Sequence, residues 1–141
     1  YYLALGINDA NSGGEDYLGT INDIKDDYTQ NADTFFGNYG KIISNIQNHA
    51  PNAKIVMFTI VPNTEMKATY NEAVVKIAEY FGIPYIVQTD DGFFTSNLYT
   101  NGMVQSHPVA VVYSGMANAF ERLLKKCVID NFEYFKNAFM H

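Results

Sequence analysis

The run KIVMFTIV at residues 54–61 constrains the fold of this chain more than any other stretch. It is apolar at odd and even positions alike, so a strand made from it buries both faces. That is the pattern of a strand in a parallel sheet covered by helices on both sides, since a half-exposed strand alternates apolar and polar residues. The run is far too short to cross a bilayer, and Pro62 ends it.

Helical patterns flank the run. Before it, Asp33 or Thr34 can cap a helix reaching His49, with Phe35, Tyr39, Ile42, Ile43 and Ile46 on its buried side. After it, Asn63 or Thr64 can start a second helix that reaches Phe81. Ala73, Val74, Ile77, Ala78 and Phe81 form its stripe, and Gly82 is placed to stop it. YYLAL, ended by Gly6, reads as another buried strand, and IPYIV at 83–87 as a third. A last helix is expected over 109–128, buried through Tyr113, Met116, Ala117, Phe120 and Leu124. The order is β–loop–α–β–α–β–loop–α, which predicts an α/β fold with right-handed crossovers and a parallel sheet. YYLAL is apolar enough for the middle of a sheet, where it needs neighbours on both sides. Residues 7–33 read as a long polar loop with a helical turn near Ile21 to Tyr28, and 88–108 as a second long loop. The chain divides into a domain over 1–128 and an aromatic tail over 129–141, either helical or packed on a partner.

Composition excludes several classes. Net charge is −6, and the nine basic residues are dispersed apart from Lys125-Lys126, which argues against a nucleic-acid partner. One cysteine, Cys127, rules out an internal disulfide and a Cys-rich zinc site; its helical phase makes it a core or boundary residue. Asp9, Asn11, Gly13 and Gly14 imitate the start of a calcium loop, but the twelfth position is Thr20 and the preceding segment reads as strand. No Gly-rich phosphate loop follows a strand. No metal and no cofactor is expected.

In open α/β sheets ligands bind at the carboxyl ends of the strands. Three polar features fall there: Asn8-Asp9, Pro62-Asn63 and Asp90-Asp91. His107-Pro108 leads into the final helix. Each has a plainer reading as well. Asn8 can bond its own loop backbone, His107 can be structural, and Asp90 and Asp91 can cap a turn. Phe93, Phe94 and Tyr99 can offer rings to a sugar or pin their loop to the core. His49 reads as a helix-end residue, and the terminal His141 carries no signal.

LGINDAN resembles the Gly-x-Asn-Asp block of the SGNH (GDSL-type) esterase and lipase family. YGKIISNIQNHAPNAKIVMFTIVPN and YNEAVVKIAEYFGIPYIV resemble the two units that follow that block. SHPVAVVYSGMANAFERLL resembles the family's last block, where a His-Pro precedes a helix. The likeness runs from Tyr1 to about Leu124 and rests on order and spacing more than on any one motif. It implies a three-layer α/β/α, flavodoxin-like sheet and acyl transfer by a serine nucleophile. Asn8 would donate its side-chain N–H to the oxyanion, and His107 would be the general base, a role imidazole suits near neutral pH. Gly6 would let the backbone turn beside the site, and Asp9 would orient the loop. The expected substrate is an acyl ester or an acetylated glycan, and the expected address a secreted, extracellular or viral setting.

Two departures stand beside the likeness. The family's Gly-Asp-Ser block precedes Gly-x-Asn-Asp, and it has no counterpart here. None of Ser12, Ser44, Ser96, Ser106 and Ser114 sits in a matching context. The expectation is therefore a chain lacking its N-terminal strands and nucleophile, these being supplied by a preceding part of the domain or by a partner chain. The family's Asp three residues before the His is Val104 here, which leaves Asp90, Asp91 or a backbone carbonyl to orient His107. The second expectation is a non-catalytic glycan-binding or structural module derived from such an enzyme.

Overall fold

The computed structural model describes residues 1–105 and 107–136; Ser106 and residues 137–141, with His141 and the end of the aromatic tail, lie outside the described residues. Strand β1 (Tyr2–Leu3) is followed by helices α1 (Ile7–Ser12), α2 (Gly14–Leu18) and α3 (Phe35–His49). Strand β2 (Val56–Phe58), helix α4 (Glu65–Phe81) and strand β3 (Tyr85–Ile86) come next. Helix α5 (Asn97–Asn101), the pair β4 (Met103–Val104) and β5 (His107–Pro108), and helices α6 (Ala110–Asp130) and α7 (Phe132–Phe135) complete the order.

β1, β2 and β3 form one parallel sheet in that order, with Tyr2 beside Val56 and Met57 beside Tyr85. The expected α/β class with a parallel sheet is what forms. Alternate residues of β2 face two separate cores. Ile55 and Met57 pack with Phe35, Tyr39, Ile43, Val74 and Ile77 from α3 and α4. Val56 and Phe58 pack with Ile86, Ala119, Leu123 and Phe135 on the α6 side. Two crossovers that step the same way across a sheet must put both helices on one face, which is why α3 and α4 share a side.

Local chemistry sets the helix ends. The Thr34 hydroxyl accepts from the Gly37 N–H at 3.1 Å, and the Thr64 hydroxyl accepts from the Lys67 N–H at 3.3 Å. Gly82 closes α4 at φ +62°, the left-handed cap expected of it.

The structure departs from the sequence reading in four places. Residues 7–33 are not one loop. They hold α1, α2 and single 3₁₀ turns at Ile21–Asp23 and Tyr28–Gln30, because Ala10, Tyr17, Leu18 and Ile24 all reach the α3–α4 core. The 88–108 loop is likewise structured, with 3₁₀ turns, α5 and the β4–β5 hairpin. Helix α6 runs to Asp130, and its buried side is only partly the expected one: Met116, Phe120 and Leu124 pack against the α6-side core, but the fully buried residues are Val112, Ala119, Leu123 and Cys127, whereas Tyr113 is 56% exposed and Ala117 also faces out. Finally, the 129–136 segment belongs to the domain. Phe135 is in the α6-side core, and the Tyr134 hydroxyl accepts from the Ile55 N–H at 3.0 Å and donates to the Ile55 C=O at 3.2 Å.

β1 is an edge strand of this sheet rather than a central one. Tyr1 and Tyr2 are 59% and 65% exposed. Beside it, on the α6 face, lie two joined apolar grooves of about 600 and 400 Å³ that share Tyr2 and Leu124. The opposite face carries two long helices; this face carries α6, over β2 and β3.

Candidate functional site

The three parallel strands point their carboxyl ends to one rim. β1 leaves the sheet through Ala4 and Leu5 to Gly6, which is buried at φ +119°. A side chain is strained at that φ, and a Cβ there would lie 3.4 Å from the Phe35 ring. The Gly6 C=O accepts from the Ala10 N–H at 2.8 Å, so α1 starts directly at the strand's end. Asn8 is the second residue of this helix and is exposed; Asp9 is half-buried in the same turn.

α1 and the turn after it are fastened from below. The Tyr70 hydroxyl donates to the Gly14 C=O at 2.8 Å, and the Tyr39 hydroxyl donates to the Leu3 C=O at 3.2 Å. Burial raises both phenols from their ordinary value, and the Asp9 carboxylate acts in the same direction on each. Tyr39 and Tyr70 thus hold β1 and α2, and the Asp9 carboxylate forms no hydrogen bond among the described residues. Asn63, at the end of β2, accepts from the Lys67 ammonium at 2.9 Å.

His107 reaches the same rim from the other face. α6 runs antiparallel to the strands: its early residues Ala117 and Phe120 lie by Ala4 and Phe58, and its late residues Val128 and Ile129 lie by Tyr1 and Lys54. The residues that lead into α6 therefore stand at the carboxyl rim. They form the hairpin in which Val104 pairs with His107 and Met103 with Pro108, with Gln105 in its turn at φ +49°. The Val109 N–H donates to the Gly102 C=O at 3.0 Å and ties the hairpin to α6. Asn8 and His107 thus share a rim but approach it from opposite faces, since α1 packs with α4 and the hairpin with α6. Both side chains are exposed, and no hydrogen bond joins them among the described residues.

The two aspartates proposed to orient His107 have other surroundings. Asp91 accepts from Arg122 through both oxygens, at 2.7 and 2.9 Å, and from the Phe93 N–H at 3.0 Å. The guanidinium, with the Phe93 N–H next, holds its carboxyl below the usual range. This is the turn-capping role. Asp90 is exposed in a groove on the far side of β3. Neither hydrogen-bonds the imidazole among the described residues. Val104, directly across the hairpin, is 62% exposed and offers no side-chain acceptor.

The aromatic loop resolves toward its plainer reading. Phe94 is 1% exposed, its ring lies 5.3 Å from Tyr99 and 5.2 Å from Phe120, and Phe93 contacts both Phe94 and Tyr99. These rings pin 91–102 to α6. Among the described residues the serines at 12, 44, 96 and 114 offer no nucleophile–base pair. Ser96 caps α5 and Ser114 bonds its own helix, while Ser106 lies outside the described residues. Among the described residues no group of three or more metal-ligating side chains is assembled, and no helix is long and apolar enough to cross a membrane.

Two features of this region had no sequence signal. The Asn71 carboxamide clamps the Ile60 backbone at the end of β2, and the Thr59 hydroxyl accepts from the Gln88 N–H at 3.1 Å. Together they tie the carboxyl ends of β2 and β3 to each other and to α4.

No protein-family model, no curated protein and no solved structure matches the chain.

Proposed function

We propose that this chain is the carboxyl-side portion of an SGNH-type ester hydrolase whose serine nucleophile comes from a segment outside these residues. The observation that carries the reading is the shared rim: Asn8 in the helix turn after a left-handed glycine at the end of β1, and His107 ahead of α6. A serine entering between them would pass its proton to His107 as its oxygen attacks the acyl carbon. The Asn8 carboxamide would donate to the oxyanion, and His107 would return the proton to the leaving alcohol. The substrate is an acyl ester, with acetylated carbohydrate as the preferred class.

The open edge of β1 and the apolar grooves over it support the same reading. A strand entering beside β1, followed by a helix laid along Tyr2, Ala117, Phe120 and Leu124, would cover both. Right-handed crossover puts a helix on the α6 face only when the chain steps away from β2, which gives a reversal of strand order beside β1. Such reversals are where open α/β sheets bind ligands, and here that place adjoins Gly6 and Asn8.

The test is hydrolysis of p-nitrophenyl acetate by the polypeptide extended to include the serine-bearing segment. His107→Ala is expected to lose about 10³-fold or more in kcat, and Asn8→Ala about 10²-fold. Equal rates in wild type and His107→Ala would overturn the assignment.

A second reading, a non-catalytic glycan-binding or structural module derived from such an enzyme, is favoured by Val104 and by an imidazole with no carboxylate partner among the described residues. Fluorophosphonate labelling of the extended polypeptide separates the two: covalent labelling supports the hydrolase, and its absence supports the module.

A further inference from the structure

Among the described residues no strand covers the edge of the sheet opposite β1 either, and its chemistry is different. β3 borders a cavity of about 540 Å³ between the C-terminal end of α4 and the later turns of α6. The Met57 N–H donates to the Pro84 C=O and the Thr59 N–H to the Ile86 C=O, each at 3.0 Å, so residues 84 and 86 face β2. Alternation turns the N–H and C=O of Tyr85, and the N–H of Val87, toward the cavity. The Val87 C=O is taken by the Asp90 N–H at 3.0 Å, which closes the edge there. The cavity thus presents a short row of backbone donors and acceptors spaced for one more strand, beside the apolar Ile83 and Leu123.

The rim of the cavity is acidic. Glu79, Asp90 and Asp130 stand around it with one cation, Lys126, which is paired to Asp130. Glu79 and Asp90 form no ion pair among the described residues. A second copy of the chain is a poor occupant. Twofold pairing of β3 with β3 would set the same carboxylates against each other, and like charges across an interface are costly. A small apolar ligand would leave the Tyr85 peptide groups unpaired.

We propose that this groove binds an extended peptide segment that adds as a strand to β3 and carries basic side chains toward Glu79 and Asp90. Backbone pairing supplies attachment, and the side chains supply selectivity against Leu123 and Asp90 on the α6 side and Glu79 on α4. The site is independent of the hydrolase reading, since it lies across the sheet from β1.

The test uses the full chain and a fluorescein-labelled pentapeptide of alternating valine and lysine, followed by anisotropy. Saturable binding is expected. It should weaken about fivefold in the Glu79→Gln/Asp90→Asn double variant, whose exposed substitutions leave the fold intact. It should weaken about tenfold when the central peptide amide is N-methylated, and the matching valine–glutamate peptide should not compete. No saturable binding overturns the proposal. So does equal binding of the N-methylated peptide, which would mark simple attraction to an acidic protein, or unchanged binding by the double variant. Dimerisation in sedimentation that is abolished by Tyr85→Pro would assign the groove to a second copy instead, and would overturn it too.

Discussion

Asn71 and Ile60 exchange two hydrogen bonds: the Ile60 N–H donates to the Asn71 Oδ1 at 2.8 Å, and the Asn71 Nδ2 donates to the Ile60 C=O at 2.7 Å. A side chain of α4 thereby acts as a neighbouring strand at the point where β2 leaves the sheet. Ile60 is buried, so water does not readily replace either bond. Asn71→Leu is expected to destabilise the fold by about 2–4 kcal/mol, the cost of leaving a buried donor and acceptor unpaired. Asn71→Asp keeps the acceptor and loses the donor, and should fall between. Urea unfolding midpoints check this; a fully stable Asn71→Leu would refute the clamp.

At the other end of β2 the Tyr134 hydroxyl makes the corresponding pair of bonds with Ile55. Tyr134→Phe keeps the ring, including its position 4.8 Å from the Lys54 ammonium, and loses only the hydroxyl. A loss of about 1–2 kcal/mol in chemical denaturation is expected. No loss would mean that the residues after 128 are not part of the cooperative unit.

Gly6 should resist substitution for reasons of backbone rather than space. The nearest atom to a Cβ there is 3.4 Å away, which is tolerable, but φ is +119°. Gly6→Ala is expected to cost about 1–3 kcal/mol and to disturb α1, which starts on it. Denaturation, together with amide chemical shifts of residues 7–12, reports both effects.

The Asp91–Arg122 pair gives a pH signature. The folded-state pKa of Asp91 is depressed, first by the Arg122 hydrogen bond and next by the Phe93 N–H. Its contribution to stability is therefore present above the unfolded carboxylate pKa and is lost as pH falls through the folded value. Arg122→Ala should lower the unfolding midpoint at pH 7 and flatten the fall in stability below about pH 4. Because Arg122 is largely exposed, the effect is small and should shrink further in high salt.

Cys127 tests the packing of α6 in its observed phase. It is buried, and burial, with Asp130 adding to it, pushes its thiol up. A thiol reagent at pH 7–8 should label it slowly in the native protein and quickly in urea. Fast native labelling would overturn its place in the α6-side core.

That phase shows what the sequence could and could not convey. The parallel sheet was legible because 54–61 has no polar face, and α3 and α4 were legible because Thr34, Thr64 and Gly82 mark their ends. For α6, two apolar stripes compete. Val112, Ala119, Leu123 and Cys127 take the core, while Ala117, Phe120 and Leu124 lean toward β1 and Tyr113 is exposed, and nothing local ranks them. Residues 7–33 read as a loop because their polar residues dominate locally. The few apolar anchors, Ala10, Tyr17 and Ile24, act only through distant partners on α3 and α4. At the candidate site, the strand-end positions of Asn8 and His107 followed from element order. Their approach from opposite faces, and the engagement of Asp91 by Arg122, depend on packing across 31 residues or more.

The two clamps on β2 also bear on how the chain is made. Ile60 can be secured as soon as α4 emerges, 11 residues later, but Ile55 waits for Tyr134, 79 residues further on. During synthesis the centre of the sheet is thus finished from its carboxyl end backward. A ribosome stalled before residue 134 would hold a nascent chain with the head of β2 still unlatched and open to proteolysis.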